Sequence, residues 1–256
     1  MDNKIIRSVW FGDELTPIQR LSIKSYIDNG HEFHLYKQEL KGIPEGTVVH
    51  DTREIITDDE LEKFGEDVVH AADFFRALVI FKEGGWYVDL DTICLKHFDF
   101  PEPYVFSSED TSKFGNKKDP TGCPTAVLEQ PTEYVGGCTF KCPPRSPFLE
   151  CIIDRINGLD KRNIAWTASG PDLFSSLIPA HGLKEFVKAP VVFDAINPDE
   201  LRYFVMGNTN WGFSEKSYAM HVRTSWWNSC YCPDGNLSQY HHPNSLYEQL
   251  KKKHGI

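Results

Sequence analysis

The sequence predicts an α/β fold, a Rossmann-like mixed sheet flanked by helices, on three observations. A strand-helix-strand unit occupies the first 36 residues. An apolar helix then runs into Gly84-Gly85 and a strand that ends in two carboxylates. Finally, 256 residues with 40% apolar and 25% charged content suffice for one substantial core, so we expect a single domain over 1–256. Within it, residues 1–108 form one half, ending just after the carboxylate strand, and 109–256 the other.

The first strand covers residues 4–11. Thr16-Pro17-Ile18-Gln19 combines an N-cap, proline at the first helical position and a capping-box glutamine, which starts a helix running to about Asn29. Gly30 closes it, and Glu32 to Tyr36 forms a second strand, expected parallel to the first. Trp10 and Phe11 sit at the carboxyl edge of the first strand, where open sheets bind ligands, and read either as core or as ligand contacts. Residues 41–66 are mixed and charged, with a short helix and loops.

From 71 to 81, apolar residues at 71, 74, 75, 78 and 81 follow helical spacing, and the glycine pair ends the helix at Glu83 or Gly84. The period then becomes two. Trp86, Val88 and Leu90 fall on one face and Tyr87, Asp89 and Asp91 on the other, with the two acids roughly 6.5 Å apart along the strand. That spacing lets them share a divalent cation, and hard oxygen ligands favour Mg2+ or Mn2+. Asp73 and Arg76 lie three residues apart on the preceding helix among apolar neighbours, which is either a structural ion pair or part of the same site.

Further along, a proline-bounded turn spans 98–103 and a short strand 104–108, followed by a polar segment, 109–124, that reads as a surface loop or one beside an acceptor site. Residues 126–129 and 133–140 read as strands, and Gly136-Gly137 marks a bulge or a close backbone approach to a ligand. Ser146-Pro147 starts a helix with Leu149, Ile152, Ile153 and Ile156 inward. A loop from Trp166 leads through Gly170-Pro171 into another helix, whose first turn presents free N–H groups. Tyr218, Met220 and Val222 fall on one face and His221 on the other, which suggests a late strand that presents the imidazole toward the site.

Ala72-Asp73-x-x-Arg76 with Gly84-Gly85-Trp86-Tyr87-x-Asp89-x-Asp91 resembles the signature of the DXD-containing glycosyltransferases of family 32, a group with yeast-type mannosyltransferases and, more distantly, clostridial glucosylating toxins. The run from Lys4 to Gly12 is similar to that family's first strand, with Arg7 where histidine is common. His221-Val222-Arg223-Thr224-Ser225-Trp226 is a looser match. The resemblance implies a GT-A fold and metal-dependent, retaining transfer from a nucleotide-sugar donor, UDP-sugar favoured and GDP-sugar possible, to a glycan, polysaccharide or other hydroxyl acceptor.

By the same resemblance, Asp89, Asp91 and His221 hold Mn2+ or Mg2+, and Asp73 and Arg76 hold the donor sugar. Trp10, Phe11, Gly85, Tyr87, Leu90, Ser225 and Trp226 contact the rest of the donor. Asp73, Arg76, Asp89 and Asp91 form the catalytic set. Two alternatives come from other classes: a metal-dependent phosphohydrolase or nucleotidyltransferase, and a non-catalytic nucleotide- or carbohydrate-binding protein.

A formal charge of −10 argues against nucleic acid as a partner. No apolar run approaches the ~20 residues of a membrane span, and the N-terminus leads straight into a strand, so no signal peptide or anchor is expected. Seven cysteines do not suggest a secreted disulfide framework, and a cytoplasmic setting is expected. The spacings Cys138-x-x-x-Cys142 and Cys230-x-Cys232, with His241 or His242, are weak zinc patterns; loop and core thiols are the default. Lys251-Lys252-Lys253 allows peripheral contact with an anionic membrane, about 1 kcal/mol per lysine.

Overall fold

The structure is a computed structural model, and it describes residues 3–37, 41–111, 129–197, 201–207, 212–224 and 242–256. Strands β1 (Ile5–Val9), β2 (Glu32–Tyr36) and β3 (Val48–His50) lie parallel, and β1 also pairs in parallel with β4 (Gly85–Val88). The polarity then reverses. β4 pairs antiparallel with the long strand of Val135–Cys142, which pairs antiparallel with Val105–Ser108, and the latter pairs in parallel with Val187–Lys188. Numbering Thr92–Cys94 as β5, these three are β7, β6 and β8, and the seven-stranded sheet has the order β3-β2-β1-β4-β7-β6-β8. β5 pairs antiparallel with β9 (Ala219–His221) in a separate two-stranded sheet.

Helices cover both faces, as the mixed α/β reading requires. α1 (Pro17–Asp28) begins with the expected capping box: the Thr16 N–H donates to Gln19 Oε1 at 3.0 Å, and the Thr16 hydroxyl bonds the same oxygen. Beyond the short α2 (Asp58–Glu62), α3 (Val68–Glu83) ends at Gly84, with Gly84 and Gly85 at φ of +67° and +85°, a region that favours glycine. α3 packs Phe74, Phe75 and Ile80 with Tyr87 and Phe140, together with α4 (Pro147–Asn157) and α5 (Pro171–Ala180). Trp86, Val88 and Leu90 point the other way, into a core with Tyr26, Phe98 and Phe193. The alternation read from sequence therefore holds, with both faces buried. A third core joins α1, β5 and β9 to α6 (Pro190–Phe193) through the residues after it, to α7 (Leu201–Val205) and to α8 (Leu246–His254).

Two expectations are corrected. Residues 41–66 contain a strand as well as a helix: Val48 and Val49 are exposed, so β3 is an edge strand held by backbone pairing to β2, without the burial that marks a strand in sequence. The strand expected to reach Asp91 stops at Val88. The Thr92 N–H and hydroxyl both donate to the Asp89 carbonyl, at 3.0 and 2.7 Å, and close Asp89-Leu90-Asp91 into a turn between the two sheets. Most of the strand expected at 126–129 and most of the 109–124 loop lie outside the described residues, as do Ser225, Trp226, Cys123, Cys230, Cys232 and His241.

Candidate active site

The turn at the end of β4 sets the site. The Asp89 N–H donates to the Cys138 carbonyl on β7 at 2.8 Å, and the Val222 N–H donates to the Asp91 carbonyl at 2.9 Å, so the turn is tied to both sheets. The β5–β9 register pairs Thr92 with His221, which brings the imidazole beside the carboxylates. Asp91 is held at both oxygens. Oδ2 accepts from the Thr224 N–H at 2.9 Å and from its hydroxyl at 3.0 Å, while Oδ1 lies 3.3 Å from His221 Nε2. One donor atom from each of Asp89, Asp91 and His221 lies within 4.8 Å of the others.

Arg76 approaches from α3. Its guanidinium is ion-paired with Asp73, reaches Asp89 Oδ2 at 3.6 Å and lies 5.7 Å from the centre of the Tyr87 ring. The second oxygen of Asp73 accepts from the Ser169 hydroxyl at 2.5 Å. Because that hydroxyl gives its proton to the carboxylate, the His70 Nδ1–H donates to Ser169 Oγ, also at 2.5 Å. Asp73, Ser169 and His70 are all at least 97% buried. Gly137 is what lets Arg76 lie flat on β7: a Cβ there would overlap Nη1 and sit 3.0 Å from Cζ. The close approach at Gly136-Gly137 is to side chains of the chain itself, Glu109 at the first glycine and Arg76 at the second.

Burial raises the pKa of Asp89 against the pull of Arg76, and the Asp91 charge adds to the rise. For Asp91 burial acts the same way, but His221 and Thr224 outweigh it and hold the carboxyl well below the usual range. Burial disfavours the imidazolium of His221, yet Cys138 and Asp91 raise its pKa well above the ordinary value. This corner is therefore built for positive charge. Two hard carboxylate oxygens and one imidazole match the donor set of a divalent cation, and buried His221 Nδ1 has no hydrogen-bond partner among the described residues.

One cavity of about 430 Å3 gathers Trp10, Phe11, Asp73, Arg76, Tyr87, Asp89, Leu90, Asp91 and His221. Gly85 is not among its walls. It is the first residue of β4, paired with Cys142 at the end away from the aspartates, and a Cβ there would meet Arg7. Glu109, Cys138, Arg223 and Thr224 also line the cavity, with no periodic signal in sequence to mark them. Burial opposes the charge on Arg223, but Asp194 and Glu109, whose Oε2 lies 3.1 Å away, hold it protonated. Cys138 and Cys142 lie four residues apart on one strand, about 13 Å, too far to share an ion.

Residues 29–110 match a family model described as a glycosyltransferase sugar-binding region containing a DXD motif. The enzyme class is glycosyltransferase. The matched segment carries Asp73, Arg76, Asp89 and Asp91 of this glycosyltransferase, while His221 and Thr224 come from outside it. Among solved structures, the chain is similar to one described as PaToxG glycosyltransferase, at 17% identity over 71% of each chain with a TM-score of 0.49. It is also similar to a mutant transferase, at 8% identity over 71% of this chain and 85% of that one, with a TM-score of 0.44. A search of curated protein sequences finds no match.

Proposed function

We propose that this glycosyltransferase is of the family 32 type, and moves a sugar from a nucleotide-sugar, UDP-linked before GDP-linked, to a hydroxyl of a glycan or polysaccharide with retention of configuration. The observation that supports it most is the convergence of Asp89, Asp91 and His221 donor atoms within 4.8 Å, beside a guanidinium, in one cavity. Asp89, Asp91 and His221 would hold Mn2+ or Mg2+. When bound, such an ion neutralises the departing diphosphate, worth several kcal/mol at the transition state.

The chain's own groups do the rest. Arg76, fixed by Asp73 and by the Tyr87 ring, offers its guanidinium to the donor sugar or phosphate. With one oxygen of Asp73 on Arg76 and the other on Ser169, the carboxylate orients the arginine before any sugar arrives, and sugar hydroxyls then share its lone pairs. Trp10 and Phe11 wall the side of the cavity at the end of β1, where the base would rest. Ser225 and Trp226, by resemblance, complete the diphosphate contacts. No helix of the described residues is long and apolar enough to cross a membrane. We place the enzyme in the cytoplasm, with Lys251, Lys252 and Lys253 available to an anionic surface.

The test is release of nucleotide and sugar from a panel of UDP- and GDP-sugars, with Mn2+, Mg2+ or EDTA, for wild type and Asp91→Asn. Cleavage of one donor that needs the ion and is lost in the variant is expected. Equal turnover in Asp91→Asn would refute the ion's assignment, and a phosphorylated sugar product without glycosyl transfer would point to a phosphohydrolase.

A further inference from the structure

Behind the aspartates lies a second set of donor atoms of different chemistry. Cys138 sits on β7 with its carbonyl bonded to the Asp89 N–H, and its thiol is free, 3% exposed and 3.4 Å from Ser107 Oγ. Glu109 follows β6 and is 7% exposed. One donor atom from each of Glu109, Cys138 and His221 lies within 4.8 Å of the others. These are a carboxylate oxygen, a sulfur and an imidazole nitrogen, three ligands facing a cavity, which is the form of an open zinc site with water in the remaining position. Sulfur discriminates: a thiolate binds Zn2+ and its congeners far better than Mg2+ or Mn2+.

His221 belongs to both sets. Its Nε2 faces Asp91, and its Nδ1 is buried without a partner among the described residues. Arg223, 3.1 Å from Glu109, adds positive charge beside the sulfur set, which keeps a cation there weaker than in a structural zinc site. Two divalent ions flanking one imidazole would repel each other as well. We propose that Glu109, Cys138 and His221 form a distinct site for a thiophilic divalent cation of the Zn2+ class, and that filling it withdraws His221 from Asp89 and Asp91 and inhibits the enzyme.

Cobalt titration of the full chain tests the site without any sugar donor, so its outcome is independent of the donor reading. A thiolate-to-cobalt charge-transfer band is expected in wild type and in Asp91→Asn, and is expected to vanish in Cys138→Ala. Glu109→Gln, which keeps the thiol and covers the case that the alanine variant misfolds, should bind Co2+ about tenfold more weakly or worse. No band in wild type, an undiminished band in Cys138→Ala, or unchanged affinity in Glu109→Gln would overturn the site. For the regulatory half, the Zn2+ concentration that halves Mn2+-supported donor cleavage should rise at least tenfold in Cys138→Ala, each protein compared with its own zinc-free rate. An unchanged concentration would overturn the inhibition.

Discussion

Replacing Thr224 by valine probes how the ion-binding carboxylate is aimed. Valine keeps the shape and the backbone N–H that donates to Asp91 Oδ2 at 2.9 Å, and removes only the hydroxyl that donates to the same atom at 3.0 Å. A hydrogen bond to a charged acceptor contributes about 1.5–3 kcal/mol, and groups that orient a ligand from behind change metal affinity about 10–100-fold. Since one of two donors survives, the lower end applies. Mn2+ affinity should fall about tenfold, or about 1.4 kcal/mol. The assay is titration of Mn2+ followed by electron paramagnetic resonance of the free ion, with no donor present. Thr224→Ser should restore binding. Affinity within twofold of wild type in Thr224→Val, or equal loss in Thr224→Ser, would refute the role given to the hydroxyl.

Gly137→Ala places a methyl in the space of the Arg76 guanidinium, so donor cleavage should drop at least about tenfold while stability falls by about 1–3 kcal/mol; kcat/KM within twofold of wild type would count against Arg76 as a donor contact. His31 supplies a pH prediction far from the site. Its Nδ1–H donates to the Asn3 carbonyl and its Nε2 accepts from the Phe98 N–H, both at 3.0 Å, so the fold holds it neutral; burial, with His97 adding, pushes its pKa from 6.5 down to about 4. Its contribution is fully present above pH 6.5. As pH falls toward 4 the unfolded chain takes up a proton that the fold refuses, and stability drops by about 3 kcal/mol in all. Urea unfolding at pH 7 and 4.5 should show a smaller acid loss in His31→Gln, and equal losses would contradict this reading.

Much of the site's skeleton is written in local periodicity. The helical spacing before Gly84 and the alternation through Leu90 place Asp73, Arg76, Asp89 and Asp91 together, because a buried helix and a buried strand each have one repeat to obey. That same alternation overruns its strand: a tight turn can continue an apolar-polar rhythm, and the hydrogen bonds from Thr92 that end β4 have no signature in hydropathy. β3 escapes notice because an exposed edge strand needs only backbone pairing. Thr224, Glu109 and Cys138 acquire their meaning from strand pairings dozens to more than a hundred residues apart, and sequence spacing does not encode register. Gly85 runs the other way. Its place in a motif suggests a ligand contact, while the structure sets it outside the walls of the cavity, at a positive φ beside Arg7.

The Thr92–His221 register also has a mechanical side. The turn belongs to the large sheet at Asp89 and to the small one at Asp91, and the imidazole arrives from roughly 130 residues further along the chain, so an ion joining them adds a rivet between distant parts of the polypeptide whose strands pair over three residues, beside the bonds of Val222 and Thr224 to Asp91. A ligand that binds only the folded chain, at a hundred times its dissociation constant, adds about 2.7 kcal/mol of stability, or about 5–10 °C in Tm for a chain of this size. Heat resistance thus becomes a gauge of the rivet: chelator should soften the small sheet first, and the order in which metals raise Tm should rank their grip on the site before any substrate is known.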